Sequence, residues 1–215
     1  MDELNVFVSV GGTATSEQEA FVRAVEDRLR SEGLIPHTVG RNTFSSDAPL
    51  KTVTNLLDKC AGTLVIALER SYFASGIEKR GGPKETTLTE IKLPTPWNQI
   101  EAAMTYARGL PLMVVVEAGL KSEGLLERGY DWYVQWVQLE AAALHSTEFN
   151  GVLASWKQKM VQTTKKVSLR KEASDFTVAE LIGGLKPTQL WSVLVALATL
   201  LAGAFALGGK LCGAL

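Results

Sequence analysis

Cysteine, histidine and any surplus of one charge are what this sequence most conspicuously lacks. Cys60 and Cys212 stand far apart with no CxxC spacing, which excludes a disulfide framework and a thiolate metal site. His37 and His145 have no Cys or His neighbour at the short spacing a zinc ion needs, so no metal is expected. The net charge is -1, with acids and bases scattered, and nothing domain-wide attracts a polyanion; nucleic acid is not an expected partner. Neither GxxxxGK[ST] nor GxGxxG occurs, which removes the P-loop and the Rossmann fingerprint. The opening Met1-Asp-Glu-Leu-Asn5 has acids where a signal peptide carries bases, so export through such a signal is not expected. There is no internal repeat.

What is present is an alternation of short β-branched runs and helical patterns over residues 1–155, the signature of a parallel sheet covered by helices. Strands are expected at Asn5–Val10, Ile35–Val39, Thr63–Leu68 and Leu112–Val116, with an edge strand at Trp132–Leu139. Ser16-Glu-Gln-Glu19 reads as a capping box opening a helix with Phe21, Val25 and Leu29 inward. Helices are also expected over Pro49–Ala61, from Thr95-Pro96 to about Arg108, and from Thr147 to about Lys166. Five strands in βα order predict a flavodoxin-like, doubly wound α/β sheet. Residues 71–94, rich in Gly, Lys, Glu and Thr, read as a long connection: a lid, a binding loop or a disordered insert.

A different composition begins after residue 155. Residues 156–171 carry Lys157, Lys159, Lys165, Lys166, Arg170 and Lys171 and no acid, and residues 156–189 are expected to form a basic helix and linker. Leu190–Leu207 then runs 18 residues without a charge, about 27 Å as a helix, against a hydrocarbon core of about 30 Å. Residues 190–215 are therefore expected to be a single transmembrane helix. The basic flank points to a cytoplasmic domain anchored at its C-terminal side in the cell inner membrane, with the lipid bilayer as partner. The alternative is a buried C-terminal helix, which would need a core helix without a polar face over this length.

Ligands of doubly wound sheets bind beyond the carboxyl ends of the strands, at the point where strand order reverses. The residues following the strands are Gly11-Gly12-Thr13, the loop Arg41–Asp47, Glu69-Arg70 and the helix start at Trp97. Gly11-Gly12-Thr13 is either a plain tight turn or a cradle whose N–H groups approach an anion. Arg70 either binds a pyrophosphate or pairs locally with Glu69. Phe44, Ser45, Ser46 and Asp47 contact a ligand, a neighbouring subunit or neither. Tyr72 and Phe73 either close over a base or cover the core. Trp97 and Glu101 are four apart and share a helix face, where an adjoining indole desolvates the carboxyl group and raises its pKa. That suits Glu101 to act as nucleophile, acid/base or ribose ligand, although a solvated helix glutamate is the commonest fate of its type. Trp97 packs the core or stacks on a nicotinamide ring, and Asn98 orients a ribose hydroxyl or solvates the first turn.

The block Thr95-x-Trp97-x-x-x-Glu101, followed by Gly109-Leu-Pro111 and the strand Leu112–Val116, resembles the segment of Toll/interleukin-1 receptor (TIR) domains that carries the catalytic glutamate of NAD-cleaving members. The resemblance extends over roughly residues 4–140, with Arg41–Asp47 in the place of the BB loop. It implies a membrane-anchored NAD glycohydrolase with Glu101 catalytic and NAD as substrate, no cofactor being needed. It further implies self-assembly into a homo-oligomer or filament, an upstream activating protein or nucleotide signal, and an antiphage setting. It departs from the family in Gly-Gly-Thr after the first strand, in Ala102-Ala103 after Glu101 and in the 71–94 insert. Two other readings stand beside it: a non-catalytic sensing module that acts through its membrane helix, and a nucleoside 2-deoxyribosyltransferase-like hydrolase, whose related fold places a nucleophilic Glu on the same helix.

Overall fold

The computed structural model describes residues 4–175 and, in helical conformation, residues 191–192, 194–196, 198–200 and 202–203; side chains of residues 166–175 are outside the description. Two compact units are formed, residues 1–165 and 166–215. The first holds seven strands: β1 (Leu4–Val10), β2 (Leu34–His37), β3 (Gly62–Ala67), β4 (Ser71–Glu78), β5 (Thr86–Leu93), β6 (Leu112–Glu117) and β7 (Tyr133–Val137). Its helices are α1 (Ser16–Ser31), α2 (Pro49–Leu57), α3 (Pro96–Ala107) and α4 (Thr147–Asp175), the last continuing beyond residue 165.

Five of the strands form one wholly parallel sheet in the order β2-β1-β3-β6-β7. The doubly wound α/β architecture read from the alternation is therefore the observed one, and its switch point lies between β1 and β3. Because both faces are covered, the inner strands are apolar on both sides. Val6, Val8, Leu64, Ile66, Met113 and Val115 pack with residues of α1 and α4. On the opposite face Val65, Val114 and Val116 meet Ala102 of α3, and Phe7 meets Val53, Leu56 and Leu57 of α2.

Local chemistry differs from the expectation in three places. The cap of α1 is Thr15, whose hydroxyl accepts from the Gln18 N–H at 3.1 Å while Gln18 Oε1 accepts from the Ala14 N–H at 2.8 Å. The box read at Ser16 is thus shifted by one residue, because Gln18 has a better use. Its amide also donates to the Glu69 carbonyl at 2.9 Å, tying α1 to the end of β3. Residues 71–94 are an antiparallel ribbon, β4 paired with β5 from Ser71↔Leu93 to Glu78↔Thr86. Lys79 and Gly81 turn it with positive φ, and Lys92–Glu69 (2.7 Å) and Lys121–Glu78 (2.8 Å) fasten it to the body.

The third difference concerns the membrane. Among the described residues no helix is long and apolar enough to cross a bilayer, so the expected transmembrane span does not appear. Residues 190, 193, 197, 201 and 204–215 of the expected span, with much of the 156–189 linker, lie outside the described residues, as does the orientation inferred from them. The described positions between 191 and 203 are helical, with the Thr199 hydroxyl donating to the Val195 carbonyl at 2.7 Å.

Gly62, the first residue of β3, is fixed by its surroundings. A Cβ there would stand 2.7 Å from Met160 Sδ and 2.9 Å from the Pro111 carbonyl oxygen, and that carbonyl already accepts from Trp156 Nε1 at 3.1 Å and the Thr63 N–H at 3.0 Å. Methionine yields, but the doubly bonded backbone does not. Gly62→Ala is expected to destabilise the domain by about 1–3 kcal/mol, measured by urea denaturation; unchanged stability would show that α4 sits more loosely at the amino end of β3 than its contacts imply.

Candidate functional site

At the switch point the carboxyl ends of β1 and β3 part, and a cavity of about 310 Å³ opens between them and the starts of α2 and α3. Its walls include Gly11 and Gly12 after β1, Val53 of α2, Arg70 after β3, and Thr95, Trp97 and Glu101 at the head of α3. Thr95 caps α3 through its hydroxyl, 3.4 Å from the Trp97 N–H, with Pro96 in the first turn. This start places Trp97 and Glu101 one turn apart on the cavity side. Gly11 allows the approach, since a Cβ there would stand 3.0 Å from the Thr95 methyl group.

Glu101 is 8% exposed. Burial is the larger influence on its carboxyl group and pushes the pKa up to about 7, while a hydrogen bond from the Ser9 hydroxyl opposes the rise by favouring the ionised form. Among the residues lining the cavity, Arg70 is the other charged group. Its side chain is exposed and forms no ion pair with the described residues; Glu69 pairs with Lys92 instead. Trp97 keeps 40% of its surface exposed, so its indole is a wall of the cavity more than a part of the core.

Asn98 lies beneath this floor, 1% exposed. Its Nδ2 donates to the Ser9 carbonyl at 3.2 Å, to Ser9 Oγ at 3.0 Å and, at the 3.5 Å limit, to the Ile66 carbonyl. It lines a smaller recess with Gly11, Gly12, Glu69 and Arg70. It therefore does not solvate the first turn.

Other residues considered from the sequence are placed elsewhere. The Thr13 hydroxyl donates to Glu19 at 2.9 Å. Phe44 is 77% exposed, Ser45 Oγ accepts from the Asp47 N–H at 3.0 Å, and Asp47 pairs with Lys51 at 3.2 Å; none of the three lines the cavity. Arg41 holds the near end of that loop against α1, bonding Glu19 at 2.9 and 3.0 Å and Glu26 at 3.3 Å. The guanidinium of Arg41, with Arg23 and the Thr13 hydroxyl, brings the Glu19 pKa down to about 2. Tyr72 and Phe73 are half exposed on the ribbon. Sequence reasoning missed Ser9. Its signal was a hydroxyl within Val6-Phe-Val-Ser-Val10, a buried run where a polar group needs a partner.

A larger cavity, about 630 Å³, lies at the amino ends of β6 and β7 among Tyr106, Trp132, Trp156 and Lys159. Both indole N–H groups are spent on backbone carbonyls, Leu125 and Pro111. Doubly wound sheets bind at the other end of their strands. The smaller cavity holds the perturbed carboxyl group and is the candidate site.

No family model matches the chain, and no curated protein does. Among solved structures, a CMP N-glycosidase, BcmB, from Clostridium botulinum is 14% identical with a TM-score of 0.39, covering 66% of this chain and 99% of its own. The flavodiiron core of Flv1 from Synechocystis sp. PCC6803 is 14% identical with a TM-score of 0.41, over 77% of this chain and 37% of its own. The sugar isomerase domain of the RpiR transcription factor from Sphaerobacter thermophilus is 12% identical with a TM-score of 0.37, over 76% and 77%. With TM-scores below 0.5, none of these bears on what the chain does. The resemblance to membrane-anchored TIR proteins is corrected on two grounds: no family model supports it, and among the described residues no helix is long and apolar enough to cross a membrane. What carried it, a capped helix with Trp and Glu one turn apart beyond a strand, is a local pattern at the start of α3.

A raised carboxyl pKa has a consequence for stability. The folded protein holds the Glu101 proton up to about pH 7, whereas an unfolded chain releases it near 4.5. Folding stability therefore falls as pH rises through that window, and the full cost is present above it. Glu101→Gln is expected to leave stability nearly unchanged at pH 4 and to raise it at pH 8 by on the order of 2–3 kcal/mol. Chemical denaturation at the two pH values checks this, and a variant no more stable than the parent at pH 8 would contradict the desolvated carboxyl group.

Proposed function

We propose that the chain hydrolyses the N-glycosidic bond of a nicotinamide nucleotide, with NAD as the substrate class and Glu101 as nucleophile. The observation that carries this reading is the buried carboxyl group of Glu101, its pKa pushed up to about 7 by burial, facing a crevice at the sheet's switch point between an open indole and an arginine with no ion-pair partner among the described residues.

The carboxylate attacks C1′ of the ribose. The C1′–N bond breaks and its electron pair passes to the pyridinium nitrogen, which leaves as neutral nicotinamide. Water then cleaves the glycosyl ester, giving C1′ a hydroxyl, returning the carboxylate and releasing a proton. Glycosidases commonly divide such work between two carboxyl groups, one of them protonating the leaving group. Among the residues lining this cavity, Glu101 is the one carboxyl group. A base that departs without needing a proton suits that arrangement, and the pyridinium of a nicotinamide nucleotide is such a base. Arg70 supplies charge-assisted hydrogen bonds for a phosphate, and Trp97 a face for ring stacking.

Incubation with NAD, nicotinamide mononucleotide, CMP and cytidine, with chromatography of the released base, tests the reading. Nicotinamide release is expected, with loss of at least about a hundredfold in Glu101→Gln. The rate is expected to rise with pH through about 7, because the nucleophile must be ionised. Arg70→Ala is expected to raise KM for nicotinamide mononucleotide about tenfold or more and to leave nicotinamide riboside unaffected. Release that is equal in Glu101→Gln, or absent from every compound, would overturn the assignment.

A further inference from the structure

The larger cavity, about 630 Å³, opens at the opposite ends of the strands from the Glu101 crevice and has a size usual for small-molecule sites. Helices α3 and α4 cover opposite faces of the sheet, and both supply walls where β6 and β7 begin. Gly151, Ser155 and Lys159 of α4 all line it at four-residue spacing, so one stripe of the helix follows the cavity for two turns, about 12 Å. The aromatic wall across from it is held in place. Trp132 Nε1 donates to the Leu125 carbonyl at 3.0 Å, Tyr130 stacks on the indole with centroids 4.7 Å apart, and Tyr106 meets it edge-on at 5.3 Å. The Tyr106 hydroxyl donates to Asp131 at 3.3 Å, and its ring stays half exposed.

The two ends of the α4 stripe differ. Lys159 is exposed and forms no ion pair with the described residues, whereas Lys157 is spent on Glu32 at 2.6 Å. Gly151 stands inside the helix, where glycine is the least favourable residue after proline, and a Cβ there would meet nothing within 4 Å. Packing does not require the glycine, and a longer side chain would extend into the cavity it lines. We propose that this cavity is a second ligand site, for a small planar aromatic ring that carries an acidic group. The ring lies against Tyr106 and Trp132, and the acidic group meets the Lys159 ammonium, with the Ser155 hydroxyl one turn before it as a further donor. A cage for a cation needs open ring faces. Here Tyr130 covers one face of Trp132, and Asp131, the one acid lining the cavity, is engaged by Tyr106, while Lys159 is engaged by no described residue.

Calorimetric titration of the full chain with naphthylacetate, naphthylmethylamine and acetate separates ring from charge. Naphthylacetate is expected to bind at one site, at least about tenfold more tightly than either of the others. Lys159→Met is expected to weaken it about three- to tenfold. Gly151→Leu fills the cavity and is expected to weaken it by about tenfold or more; helix propensity favours that substitution, and Lys159→Met carries the test if it does not fold. The Glu101 crevice offers similar chemistry in Trp97 and Arg70, so Arg70→Ala is titrated alongside and is expected to leave the affinity unchanged. Absence of naphthylacetate binding, tighter binding of the amine, loss of binding in Arg70→Ala, or an affinity that a folded Gly151→Leu or Lys159→Met variant leaves untouched would each overturn the proposal. None of these outcomes depends on whether nicotinamide nucleotides are cleaved at the other end of the sheet.

Discussion

The bonds of the Asn98 amide at the carboxyl ends of β1 and β3 are the contact on which the site depends. Ser9 and Ile66 lie on neighbouring strands, next to the point where the sheet's connections diverge to opposite faces. An amide anchored to both sets the depth at which α3 begins. Thr95 caps the helix from outside and Pro96 fixes its first turn, while Asn98 fastens it from within. Glu101 follows one turn later and can go nowhere except the floor of the crevice. Its burial comes from the packing of the helix, and its perturbed ionisation comes from its burial.

The surrounding structure keeps this arrangement rigid. The Thr105 hydroxyl, a further turn along α3, donates to the Glu101 carbonyl and accepts from the Thr63 hydroxyl of β3, each at 2.8 Å, and Ala102 packs against the sheet. Gln18 ties the start of α1 to the carbonyl of Glu69, and Glu117 accepts from the Glu69 N–H at 2.7 Å. The end of β3 that flanks the crevice is thus held from α1 and from β6, which is the support a site needs when its groups must stay within a fraction of an ångström.

The parallel sheet was legible because its strands are uniformly apolar and alternate with amphipathic helices, and α3 because Thr95-Pro96 is an explicit helix start. The Trp97–Glu101 pairing on one face followed from helical spacing. The ribbon at 71–94 was not read as strands, since its faces are mostly exposed and no buried run betrays it; Thr and Ile in Thr86–Leu93 were the available hint. Ser9 was passed over as part of a strand. The loop from Arg41 to Asp47 looked suited to a ligand because nothing in the sequence says that Arg41 is spoken for by Glu19 and Glu26, residues 22 and 15 positions earlier. Ion pairs of that separation have no local signature. The likeness to a known family rested on a pattern of a few residues, and such a pattern reports a helix start more reliably than a lineage.

Glu101 stands apart from the exposed acids as a buried, cavity-facing carboxyl group whose pKa lies at about 7. Carbodiimide activation with an added amine, mapped by mass spectrometry at about pH 6.5, tests it most directly, because the reagent modifies the protonated form. The peptide bearing Glu101 is expected to be labelled in the free protein and protected by nicotinamide mononucleotide. No labelling at Glu101, or labelling that the nucleotide leaves untouched, would contradict it.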